Sequence, residues 1–84
     1  MKFTPENFEE LHVLMLYHSS TGLDGIKIHK TAAPGVIAAA ERLYNDGFIT
    51  QSDGGYLTPR GSEAAEHAHL LLSMLNGSAE SQAD

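Results

Sequence analysis

Apolar positions in this chain switch between two periods, and the switches divide it into six elements. Phe8, Leu11, Leu14 and Met15 recur at helical spacing on one arc of a first segment. Val13, Leu16 and Tyr17 lie on the other side, so its last turns are apolar nearly all round, the pattern of a helix covered on two faces. Thr4 and Pro5 open this helix as N-cap and first helical residue, with Phe3 and Phe8 spaced as a hydrophobic staple. It is expected to run to Tyr17 or His18, where Ser19, Ser20, Thr21 and Gly22 break the pattern. Ile26 and Ile28 then alternate with Lys27 and His29, as in a short strand with one face inward.

Thr31–Gly35 reads as a turn or a helix start, with Pro34 tolerable only in the first turn, and leads into a second helical run. Val36, Ala39, Ala40 and Leu43 point inward there, with Ile37 and Tyr44 beside them. Gly47 stands where a left-handed C-terminal cap belongs. Phe48 and Ile49 begin a strand, Asp53-Gly54 followed by Gly55 signals a tight hairpin turn, and Tyr56 and Leu57 return. Thr58 and Pro59 repeat the capping pair of Thr4 and Pro5 and start a last helix. It is expected to end near Leu75, with Gly77 as its stop. Ala64, Ala68, Leu71, Leu72 and Leu75 form its inward stripe, while Leu70 and Met74 add a second apolar patch. Residues 1–76 thus read as one domain, and residues 77–84 (GSAESQAD) as a disordered acidic tail.

The run VIAAAERLYNDGFI resembles the recognition helix and first wing strand of winged-helix regulators of the MarR and PadR types. Val36, Ala39, Ala40, Leu43, Gly47, Phe48 and Ile49 occupy its apolar and glycine positions. Leu57, Thr58 and Gly61 resemble the exit from the wing. The whole chain also resembles a family of small gammaproteobacterial proteins without assigned function, some of them labelled DNA-binding. The fold this implies is α+β and winged-helix-like, in the order α-β-α-β-β-α with a small antiparallel sheet. In such a domain a separate short helix precedes the recognition helix. Here only His29 to Gly35 is available, so the helix-turn-helix is expected to be either truncated or differently built.

Charge then weighs against the DNA-binding activity that the resemblance implies. Five Lys and Arg face eleven Asp and Glu, a formal charge of -6, which repels a phosphate backbone. The outer part of the central helix carries Ile37, Ala38, Glu41, Asn45 and Asp46, whereas bases are read chiefly by Arg, Lys, Asn and Gln. Candidate nucleic-acid contacts are Lys27, Lys30, Arg42, Asn45 and Arg60. Lys27, His29 and Lys30 form the one cationic cluster, whose alternatives are a solvated strand edge and a contact with phosphate or an acidic partner.

No cysteine is present, and five histidines at unhelpful spacings give no metal site: His67 and His69 point to different helix faces, and His12 and His18 align poorly. No nucleophile stands beside a base at a telling spacing, and GGY lacks the helix and Lys of a phosphate loop. The chain is therefore expected to be no enzyme, with no cofactor and no metal. An N-terminus turning acidic, and the lack of a membrane-length apolar run, point to a cytoplasmic protein. The leading expectation is a homodimeric interaction module acting through protein contacts, with Leu16, Tyr17, Leu70 and Met74 at the dimer interface. The alternative is a small DNA-binding transcriptional regulator.

Overall fold

The computed structural model describes residues 2–17 and 24–83, with the backbone alone over 78–83. Its order is α1 (Pro5–Met15), β1 (Ile26–Lys27), α2 (Pro34–Asn45), β2 (Ile49–Gln51), β3 (Gly54–Leu57) and α3 (Pro59–Ala83). This is the expected α-β-α-β-β-α arrangement, an α+β fold. The strands form one antiparallel sheet in the order β1-β3-β2, so the return strand of the hairpin is central. The expected helix end at His18 and the break at Ser19 to Gly22 lie outside the described residues.

Each helix start is chemically marked. Thr4 accepts from the Asn7 amide at 3.0 Å while the Asn7 side chain accepts from the Thr4 amide at 3.2 Å, a reciprocal capping box. The Phe3 and Phe8 rings meet edge to face, 6.5 Å between centroids. At the start of α2, Ala33 offers no side-chain cap. Glu9 of α1 lies against Gly35 there instead, placing a carboxylate at the positive end of the helix. Between β1 and α2 the chain makes only a turn at Lys30 and Thr31, closed by the Ala32 amide on the His29 carbonyl at 3.0 Å. No separate helix stands there, as the short spacing required.

The end of α2 is a Schellman motif. Gly47 donates to Tyr44 at 3.1 Å, and Phe48 to Leu43 at 2.9 Å. Gly47 has the expected positive φ, 85°, which a β-branched residue adopts only with strain. The hairpin turn sits one residue earlier than expected, at Ser52 and Asp53, because Gly54 already pairs with Gln51. A register shift follows between Ile49 and Gln51, where Gly55 and Tyr56 together oppose Thr50; Gly54 and Gly55 are both at positive φ.

The core joins all six elements. Val13, Leu14 and Tyr17 of the first segment pack with Ala39, Ala40 and Leu43 of α2, Ile28, Ile49 and Leu57 of the sheet region, and Ala65 of α3. This corrects the reading of α1. Val13 and Tyr17, fully buried, make its inner face with Leu14, whereas Phe8 is exposed and Leu11 and Met15 are half-buried outside the core cluster. The wheel shows two apolar arcs but cannot rank them. Glu10, one turn before Val13 and Leu14 on the same face, accepts from Arg42 Nε of α2 at 2.6 Å.

A second correction concerns α3. The helix passes through Gly77 to Ala83, beyond the expected stop. Of the stripe expected to face inward, Ala68 is buried and Ala64 and Leu72 half-buried, but Leu71 and Leu75 are exposed. Its 25 residues span about 37 Å at the α-helical rise, against shorter molecular dimensions of 28 and 27 Å. Over Leu70–Gly77 one side of the helix, with Leu72 and Gly77 half-buried, lies beside α1, while Leu70, Leu71, Met74 and Leu75 face solvent.

Candidate functional site

Three surfaces carry the candidate residues. The first is the cationic set. Lys27 bonds Asp53 in the hairpin turn, and that hydrogen bond, with the charge beside it, holds the Asp53 carboxyl below the usual carboxylate range. Arg42 is tied to α1 by its ion pair with Glu10 and by Nη2 on the Glu6 carbonyl at 3.3 Å. Arg60 lies over the Phe48 ring at 4.6 Å, a cation–π contact. Lys30 and Asn45 are exposed. Three of the five candidate nucleic-acid residues thus have partners inside the chain. Sequence alone could not find them, because the partners of Lys27 and Arg42 lie 26 and 32 positions away.

The second surface is a cleft of about 290 Å³ where the end of β1, the hairpin turn and the outer side of α2 converge. Ile28 and Ile37 give it apolar walls; Lys27, His29, Lys30, Glu41, Ser52 and Asp53 surround them. The cationic cluster recognised in the sequence therefore opens onto a concavity it shares with two carboxylates. Ile37 and Glu41 stand one helical turn apart on α2, a spacing that places them on one face.

The third surface is apolar and belongs to the terminal helices. Leu70 and Met74 form one row on α3 at a four-residue spacing, and Leu71 and Leu75 a neighbouring row. All four are more than half exposed: Leu70 57%, Leu71 54%, Met74 68% and Leu75 61%. Leu16 is 40% exposed. Tyr17, placed with these residues by the sequence, is instead in the core at 0%. A separate groove of about 270 Å³ runs between Phe8, Leu11, His12 and Met15 of α1 and Leu72 of α3.

Two buried polar atoms lie close to this region in sequence. The Tyr17 hydroxyl and His69 Nε2 are buried without a hydrogen-bond partner among the described residues. Burial pushes the Tyr17 hydroxyl up to about 12. Among the described residues no group of three or more His, Asp or Glu side chains is placed to hold a metal ion. No described helix is long and apolar enough to cross a membrane.

A family of unknown function, DUF5669, matches residues 1–76. The chain belongs to that family. No curated protein and no solved structure matches it. The DUF5669 match covers α1 through the exposed rows of α3, so it includes the cationic set, the cleft and the apolar surface alike.

Proposed function

We propose that this protein is a non-enzymatic, winged-helix-like interaction module of the cytoplasm that works as a homodimer. The observation that carries this reading is the double apolar row Leu70, Leu71, Met74 and Leu75 on the exposed side of α3. Soluble monomers seldom keep a large contiguous apolar patch in water. Pairing one α3 with the same face of a second copy covers both rows in a self-complementary two-fold contact. Leu16 contributes from α1. The winged-helix likeness rests on the element order, the Gly47 cap and the hairpin, and terminal-helix pairing suits such a frame.

The test is sedimentation of the wild type and of Leu70→Glu combined with Met74→Lys. We expect a dimer at tens of micromolar (about a micromolar Kd, or roughly 8 kcal/mol of association) and a monomer for the double variant, in which charge would be buried. A wild type that sediments as a monomer sinks the reading.

The alternative, a DNA-binding regulator, draws less support. Lys27, Arg42 and Arg60 are engaged within the chain, and Glu41 and Asp46 are exposed on α2. Electrophoretic mobility of duplex DNA at low salt decides it, since even non-specific phosphate contacts register there. Micromolar, salt-sensitive retardation reverses the ranking.

A further inference from the structure

The cleft beside the hairpin turn combines features that a solvated strand edge does not need. Its charged groups come from three segments: Lys27, His29 and Lys30 from β1 and the turn after it, Glu41 from α2, and Asp53 from the hairpin. Lys27 and Asp53 neutralise each other. Lys30 and Glu41 line the same cleft, carry opposite charges and do not pair, with each other or with any other described residue. Ile28 and Ile37 supply apolar surface to the same space. The volume, about 290 Å³, lies at the lower end of the range for small-molecule pockets.

These features choose among ligand classes. A phosphate group, with up to two negative charges, would meet the unpaired Glu41 as well as Lys30, and like charges across a contact are unfavourable. A simple ammonium would leave Lys30 opposed, and a simple carboxylate would leave Glu41 opposed. A molecule with one charge of each sign and an aliphatic body satisfies both ends and the apolar walls together. We propose that this cleft binds a small zwitterion with a branched aliphatic side chain, of the chemical class of leucine. Its carboxylate meets Lys30 with His29 beside it, its ammonium meets Glu41, and its side chain lies on Ile28 and Ile37. The site is open, so the affinity belongs in about the millimolar range. Nothing here depends on the pairing of α3.

Methyl NMR on the full chain tests this, observing Ile28 and Ile37 during titration with four probes. These are L-leucine, 4-methylpentanoate without the ammonium, 3-methylbutylamine without the carboxylate, and inorganic phosphate. Leucine should shift both methyl signals saturably. Each singly charged analogue should bind about fivefold more weakly, the worth of one exposed ion pair. Lys30→Ala should remove the advantage of leucine over the amine, and Glu41→Gln its advantage over the carboxylate. Both side chains are exposed, and an unchanged spectrum away from the cleft shows that each variant is folded. The proposal is overturned by the absence of saturable leucine shifts, by phosphate binding as tightly as leucine, or by variants that weaken all probes equally.

Discussion

The two halves of this molecule close their surfaces by different means. From Leu43 to Gly61 the chain is finished by backbone chemistry: a Schellman cap, a bulged hairpin and a threonine cap placed end to end. Where the segment between α2 and β2 meets α3 there is no slack, since a side chain at Gly61 would run into the Phe48 carbonyl oxygen. The terminal helices and the residues beside them are joined to the rest by buried side chains but leave four large apolar residues of α3 in solvent and two polar atoms buried without partners among the described residues. Hydrogen bonds within a short segment complete themselves. A helix face does not, and its cover has to come from elsewhere in the fold or from another chain.

Substitutions sharpen this contrast. The largest effect is expected from Gly61→Ala, which forces α3 away from Phe48 and should cost about 3 kcal/mol or more in urea unfolding. Gly47→Val should cost about 1 kcal/mol or more through left-handed strain, read as a lower melting temperature.

Tyr17→Phe should go the other way, leaving stability unchanged or raising it by about 1 kcal/mol, because it removes a buried hydroxyl that has no partner among the described residues. The same variant tests the pH behaviour. The folded-state value is raised from 10.0 to about 12, so between these values the unfolded chain releases a proton that the folded chain retains. Unfolding therefore becomes easier as pH rises through that window. Stability should fall from about pH 10 towards 12 in wild type, with a shallower fall in Tyr17→Phe. The smallest effect is that of Leu70→Glu with Met74→Lys on the isolated subunit. At dilutions below association its unfolding free energy should shift by no more than about 0.5 kcal/mol. A loss as large as that of Gly61→Ala would erase the distinction between the halves.

What could be read from the sequence follows the same division. Gly47, the hairpin and the Thr58-Pro59 helix start were legible because each is decided by residues within a few positions. The face of α1 was not. Its two apolar arcs are comparable, and the choice depends on packing against Ala39, Ala40 and Leu43 of a distant element. The same distance hid the pairing of Lys27 with Asp53. Gly77 misled for another reason. Glycine inside a helix costs about 1 kcal/mol relative to alanine, enough to end a marginal helix but not to forbid one. The cationic cluster was visible as composition, but its cleft was not, because Ile37, Glu41 and Ser52 reach it only through the fold.

The Thr58 hydroxyl donates to the Gly47 carbonyl at 2.6 Å and accepts from the Gly61 amide at 3.0 Å, while the Thr58 amide reaches the Phe48 carbonyl. One side chain thus belongs at once to the end of α2 and the start of α3, so neither can fray without disturbing the other. In amide exchange, Phe48 and Gly61 should report a common opening event, with matching free energies and matching denaturant slopes, although 13 positions separate them. Thr58→Val keeps the side chain's bulk and removes both hydroxyl bonds. Gly61 should then exchange faster than Phe48, and two amides that had moved on one clock would keep separate time.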